Sequence, residues 1–201
     1  MLQVCPPAVF QTPVIDRVYP GECGTSGQSG RSPDVGTLLV PVDDSRAMFK
    51  SGHFVAAQFD ELRDEQVQPN GVDLTLDAVF EQVEPGRIGR NGKSVGERER
   101  VDDEDDIFRL SPGGYVVRYA EIVRIPDGHV GFLLPRSSLL RNSCMLDTAV
   151  WDAGYEGRGE GLLEVHHGIE LEVGARIAQL VLAEAAHRET YEGDYQGEHL
   201  S

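Results

Sequence analysis

Between Pro135 and Val165 the chain reads PRSSLLRNSCMLDTAVWDAGYEGRGEGLLEV. Arg136 and Arg141 stand five apart, with Ser137 and Ser138 between them. A loop entering a helix here would expose backbone N–H groups. The hydroxyls would add donors, and the guanidiniums would add fixed, bidentate charge suited to phosphate oxygens. The same Ser residues would serve equally as a helix cap. Asp152 follows Trp151 and precedes AGYEG, where small residues permit a sharp bend. A carboxylate at such a bend can orient water or hold a sugar hydroxyl, or simply form the turn. Tyr155 is placed to stack on a sugar ring or to fill the core. Glu164 sits in an apolar strand with Leu163 and Val165 on the opposite face. Facing a cleft, it would be desolvated and poised for proton transfer; facing solvent, it would be an ordinary surface Glu. His166 and His167 are adjacent, so a strand aims them apart, which makes a poor metal pair.

These residues need a scaffold, and the pattern around them is one of short strands. VDLTLDAVF (72–80) alternates in period two, as a half-buried strand does. YVVRYAEIVRI (115–125), HVGFLLP (129–135), GLLEV (161–165), IELEV (169–173) and RIAQLVLA (176–183) follow, separated by Gly-bearing turns. This series predicts an all-β barrel or sandwich. Phe54, Val55, Phe59 and Leu62 fall near one helical face and predict one helix ahead of it, and SSLLRNSCM predicts a short helical segment after a strand. RNGK reads as a hairpin turn, and ERERVDDEDD as a solvated loop rather than a metal site. Residues 1–47 are rich in Gly, Ser and Pro and lack sustained periodicity, apart from a possible short strand at 36–42. They read as a flexible extension upstream of a natural start at Met48, the rival reading being a genuine disordered tail. The end, ETYEGDYQGEHLS, is a polar tail from about residue 187, mobile unless something docks it.

The chain has 201 residues, 40% of them apolar, and no apolar run nears the ~20 residues of a membrane helix. Its start lacks the marks of a signal peptide, so a cytoplasmic location is expected. Three Cys without a C-x-x-C spacing support neither a disulfide framework nor a zinc site, and Cys144 reads as a small buried hydrophobe. The formal net charge is −16, and Lys50 and Lys93 are the only Lys residues. Such a charge repels nucleic acid and anionic membranes. With almost no Lys, it points to a salt-rich cytoplasm, where screening shortens self-repulsion.

PRSSLLRN, TAVWDAGYEG, GLLEV and GARIAQLVL, in that order, together with QPNGVDLTL and YVVRYAEIVRIPDGHVGFLLPRSSL upstream and YEGDYQGE downstream, resemble the deoxyuridine triphosphatase (dUTPase) and dCTP deaminase superfamily. The resemblance runs from about Met48 to Glu198. It is nearest to the archaeal-type dUTPases built on the deaminase-like chain, found in halophiles among others. It implies a distorted, jelly-roll-like β-barrel and a homotrimer with active sites between subunits. It implies hydrolysis of dUTP to dUMP and diphosphate, which keeps uracil out of DNA and supplies dUMP for thymidylate synthesis. The alternatives are a dCTP deaminase, a bifunctional enzyme, or a non-catalytic nucleotide binder on the same barrel. The resemblance further implies that Arg136, Ser137, Ser138 and Arg141 hold the triphosphate, while Asp152 positions water and contacts the deoxyribose. Tyr155 would pack on the sugar, and Ala149, Leu162, Leu163 and Gln179 would join the substrate-binding set. Glu164 would be the second catalytic carboxylate, and Mg²⁺ would ride on the triphosphate rather than in a protein cage. The chain departs from the deaminase pattern in two places. The stretch from Asp152 to Glu164 is two residues longer, and TAVWD is one shorter. In addition, Asp194 and Glu198 stand where the deaminases carry a cation and an amide.

Overall fold

The computed structural model describes residues 47–200. Residues 1–46, with the predicted extension, the possible strand at 36–42 and both remaining Cys, lie outside the described residues. From Met48 onward the chain is tied to the last long strand, since Glu184 N–H donates to Met48 O (2.8 Å) and Lys50 N–H to Leu182 O (2.9 Å).

In chain order the elements are helix α1 (Gly52–Ala56), then strands β1 (Val67–Gln68), β2 (Gly71–Gln82), β3 (Arg87–Gly89), β4 (Gly92–Ser94), β5 (Arg98–Arg100), β6 (Ile107–Leu110), β7 (Gly113–Tyr119), β8 (Val123–Arg124) and β9 (His129–Pro135). Helix α2 (Ser137–Arg141) follows, then β10 (Cys144–Asp147), β11 (Glu156–Gly157), β12 (Glu160–Val165), β13 (Ile169–Glu172) and β14 (Arg176–Glu184). The main sheet is antiparallel in the order β10-β12-β7-β2-β14-β9, with β1 and β5 also paired to β2. Its ends nearly close on each other. The chain leaving β10 runs beside β9, where Gly131 and Trp151 exchange two backbone hydrogen bonds (2.8 and 3.1 Å) and the Thr148 hydroxyl donates to Leu133 O (3.2 Å). This is the barrel-like, mostly β architecture that the strand series predicts.

Alternation along the strands builds the core. Leu74 and Leu76 on β2, Val117 and Tyr119 on β7, Leu163 on β12 and Ile177, Leu180 and Leu182 on β14 are fully or almost fully buried and pack together. Cys144 is buried there as expected, and burial pushes its thiol pKa up, which makes it unreactive.

Three expectations need correction. First, β2 is not half-buried: Gly71–Leu76 is buried on both faces. The outer side chains Asp73 and Thr75 are covered, and Thr75 is satisfied from elsewhere, whereas Asp73 Oδ1 has no hydrogen-bond partner among the described residues. Glu121 accepts from Thr75 N (2.9 Å) and from the Thr75 hydroxyl (2.7 Å), and Gln66 donates to Glu121 (2.7 Å) and to Asp73 O (2.9 Å). Second, the predicted N-terminal helix is only five residues long. Ser51 caps it, accepting from Phe54 N at 3.3 Å, and bonds from Gln58 N to Val55 O and from Phe59 N to Ala56 O tighten and end the ladder. Third, the 115–125 run breaks into β7 and β8, because Ala120 N–H leaves the ladder for Thr75 O (3.0 Å). The predicted hairpin at RNGK is present as β3–β4.

Candidate active site

The bend after β10 is built by its aromatic and small residues. Trp151 is buried beside Tyr155 (ring centroids 5.0 Å, nearly perpendicular) and tilted on Tyr119 (6.2 Å). Tyr155 N–H donates to Asp152 O (3.2 Å), and Gly154 between them takes φ +86°, a left-handed conformation that favours Gly. Gly159 admits the Trp151 ring, which a Cβ at that position would meet at 2.3 Å. The turn therefore leaves Asp152 exposed at the mouth of a cavity of about 360 Å³. Ala149, Val150, Trp151, Asp152 and Tyr155 line one side, and Arg98 and Glu160 another; the C-terminal tail supplies Tyr191, Tyr195 and Glu198. An adjoining cavity of about 340 Å³ shares Ala149, Arg98 and Glu160 and adds Val116, Asp147, Thr148, Gly161 and Leu162.

Glu160 gathers the charge at this junction. It accepts from Arg98 Nη1 (2.5 Å) and Arg118 Nη2 (3.2 Å), and His199 Nε2 lies 3.3 Å away. The tail is docked rather than loose. Tyr191 N–H donates to Ala153 O (2.7 Å), Gly197 N–H to Glu156 O (2.8 Å) and Arg158 N–H to Glu198 O (3.0 Å). The Tyr155 hydroxyl donates to Glu198 Oε1 (2.8 Å), and burial pushes that phenol well above its ordinary pKa. Asp194 pairs with Lys93 at 3.1 Å.

Docking carries a pH dependence. Burial, reinforced by Glu160, raises the Glu198 carboxyl above 4.5, against the opposing pull of the Tyr155 hydrogen bond, His199 and Arg118. A docked tail thus holds this proton more tightly than a released one, so docking strengthens as pH falls through the raised value. The gain is complete below 4.5, the released value, and is lost as pH rises. Hydrogen exchange at Gly197, corrected for its intrinsic rate, is expected to slow between pH ~7 and ~5. Faster exchange over that range would contradict it.

The residues marked in the sequence form two groups. Ala149, Asp152 and Tyr155 line the bend cavity, and Leu162 lines its neighbour. Arg136 directly precedes α2 and Ser137, Ser138 and Arg141 lie on it, with both Ser and Arg141 exposed, and none of the four lines either cavity. Buried Leu139 anchors that helix, and the Arg136 amide donates to Ile177 O (3.0 Å). Arg136 is ion-paired to Asp73, which is completely buried, and Arg176 stands 3.3 Å from the same carboxylate oxygen. Burial and then Arg176 work against the Arg136 charge, and Asp73 is the anion that holds it. Gln179 sits beside this group, paired in register with Asp73 and with Leu134. The Leu163 side chain is wholly in the core and offers a ligand no side-chain surface. Glu164 is half-buried on the same face as Glu160 and Leu162, opposite Met145 and Gly114, and lines neither cavity.

Arg98, Glu160, Trp151 and the tail residues Tyr191 and Tyr195 are site residues that the sequence reading does not single out. Glu160 has a signal, since it shares strand parity with Glu164. Arg98 has none: it belongs to a charged run expected to be solvated, and β5 pairs it onto β2.

The dCTP deaminase-like family model matches residues 40–185. The chain is 57% identical over 157 residues to a probable deoxyuridine 5'-triphosphate nucleotidohydrolase of Halobacterium salinarum, a match that covers 75% of this chain and 95% of that protein. A protein of the same description from Aeropyrum pernix is 48% identical over 138 residues (67% and 87% covered). The deoxyuridine 5'-triphosphate nucleotidohydrolase of Methanocaldococcus jannaschii is 38% identical over 144 residues (69% and 92%). Among solved structures, the 2'-deoxycytidine 5'-triphosphate deaminase of Agrobacterium tumefaciens matches with a TM-score of 0.54 at 20% identity. That likeness of fold covers 68% of this chain and 48% of the other, so this chain spans about half of that protein's length. Sequence and fold agree with the order of motifs along the chain, which belongs to the dCTP deaminase-like family.

Proposed function

We propose that this protein hydrolyses dUTP to dUMP and diphosphate. The observation that carries the reading is the bend cavity, where an exposed carboxylate, Asp152, stands next to an aromatic wall in a chain 57% identical to a probable deoxyuridine 5'-triphosphate nucleotidohydrolase. Asp152 orients a water for in-line attack on the α-phosphorus and contacts the deoxyribose. Tyr155, rigidly held by Trp151 and Glu198, packs on the sugar. Arg136, Arg141, Ser137 and Ser138 bind the triphosphate. Catalysis rests on positioning and on charge stabilisation.

None of the four triphosphate residues lines the bend cavity, and the proposed site joins the two groups across copies of the chain. Phe132 and Leu134 on β9 and Leu140 on α2 are 37, 56 and 49% exposed beside the cradle and supply apolar surface for that contact. The resemblance sets the number of copies at three. Among the described residues no three His, Cys, Asp or Glu side chains form a cation cage. Asp152 on the bend cavity is a hard anionic ligand that, together with phosphate oxygens, would suit a magnesium ion carried by the triphosphate. When bound, the ion neutralises phosphate charge. No helix among the described residues is long and apolar enough to cross a membrane.

The test is direct. Purified protein with magnesium is given dUTP or dCTP in high potassium chloride and the products are resolved. The expected products are dUMP and diphosphate, from dUTP alone. Ammonia released from dCTP would transfer the assignment to the deaminase or bifunctional reading, with Glu164→Gln then abolishing deamination. Binding without turnover of either nucleotide would leave only the non-catalytic reading.

A further inference from the structure

Arg98 and Glu160 form the shared wall between the cavity that holds Asp152 and Tyr155 and the one that adjoins it. With the sugar on Tyr155, as proposed above, the base falls into the adjoining cavity. Its floor suits a flat ring: Val116 and Leu162 are cross-strand partners on the same face of β7 and β12, and Ala149 completes it. The polar group that stands over this floor at the junction is the Arg98–Glu160 pair.

The two members differ in what they have left to offer. A carboxylate has roughly four acceptor sites. Glu160 already faces Arg98 Nη1, Arg118 Nη2 and His199 Nε2. Arg98 has five donors and no acceptor. One of its Nη groups is committed to Glu160, while its Nε–H is buried without a hydrogen-bond partner among the described residues. A buried donor without a partner carries an unrecovered desolvation cost, which an accepting ligand atom removes. Arg98 is therefore a donor still without its full set of acceptors at this junction. Uracil presents two ring carbonyls; cytosine replaces the one at C4 with an amine, which is itself a donor. A guanidinium facing that amine leaves both donors unsatisfied, and a mismatch of this kind discriminates more strongly than a difference in size. The N3–H of uracil is left for the Asp147 carboxylate in the same wall.

We propose that Arg98 selects uracil over cytosine by donating a hydrogen bond from its guanidinium to the ring carbonyl at C4. The proposal rests on the nucleotide reading above, and its test is kept separate from turnover. Equilibrium binding of the non-hydrolysable α,β-imido analogues of dUTP and dCTP is measured in high potassium chloride for the wild type, Arg98→Gln and Arg98→Lys, with circular dichroism as the check on folding. The wild type should prefer the uracil analogue. Arg98→Gln should reduce the preference about tenfold or more, equivalent to about 1.4 kcal/mol, by weakening the uracil analogue and not the cytosine one. Arg98→Lys keeps the ion pair with Glu160 but loses the Nε donor, so it should reduce the preference in the same direction even if the Gln variant does not fold. A preference unchanged within about twofold in a folded variant would overturn the proposal, as would a wild type without preference. A wild type that prefers the uracil analogue yet never cleaves dUTP would sink the hydrolase reading and leave the role of Arg98 standing.

Discussion

Replacing Asp152 with Asn is expected to cut dUTP hydrolysis by about 10²–10⁴-fold, the usual contribution of a positioned general base or water-orienting carboxylate. The fold should survive. Asp152 is exposed and enters no ion pair or side-chain hydrogen bond among the described residues. The turn around it is held by backbone bonds, from Tyr155 N–H to Asp152 O, from Gly154 N–H to Ile125 O and from Ile125 N–H to Tyr155 O. The amide keeps the shape and loses the charge and basicity. Diphosphate release in high potassium chloride, read alongside thermal melting, separates the two effects. Full activity in a folded Asp152→Asn variant would remove the residue from the mechanism.

Asp73→Ala acts from inside the protein and is expected to destabilise it by about 3–5 kcal/mol, the range found when one partner of a buried ion pair is removed. Asp73 is wholly buried, and Arg136 and Arg176 both converge on its Oδ2. Its loss leaves two guanidiniums facing each other without a counter-ion. Both are about one-third exposed (29% and 33%), so water recovers part of the cost and the lower end of the range is the expected one. Asp73→Asn should cost less, because an amide still accepts a hydrogen bond. Urea unfolding at fixed salt measures both. The variants should also weaken nucleotide binding, since Arg136 loses the group that orients it. An Ala variant as stable as the wild type would mean that the two Arg side chains have found other partners.

The scaffold is largely legible because period-two alternation reports burial on one face, and β9 and β12 carry it cleanly. The reading failed where cover arrives from distant segments. Nothing in VDLTLDAVF shows that Gln66 bonds to the Asp73 carbonyl or that Glu121 takes the Thr75 amide and hydroxyl. The helix reading failed similarly: Phe54, Val55, Phe59 and Leu62 keep a helical spacing, but the ladder tightens and stops after Ala57. At the site, residue types alone marked the α2 donors and the Asp152 bend, because guanidinium, hydroxyl and carboxylate chemistry is local. Arg98 could not be found that way. Its role depends on a contact with Glu160, 62 residues later in the chain, and on which strand β5 joins. Nor does the sequence pattern show that Glu198 accepts the Tyr155 hydroxyl, a contact across 43 residues of chain.

The pairing of β2 with β14 also dictates how the molecule comes into being. Val72 lies opposite Leu180 and Asp73 opposite Gln179, so strands from opposite ends of the domain share the centre of the main sheet. Closing so long a loop costs entropy before any pairing rewards it, and topologies of this kind fold slowly. During synthesis the β2 ladder cannot be completed until β14 has left the ribosome. Until that moment Leu74, Leu76 and Val79 have no sealed interior, and the unpaired edge of β2 is open to other chains. The nascent protein is thus most vulnerable to misassembly in the interval between the emergence of β2 and that of β14.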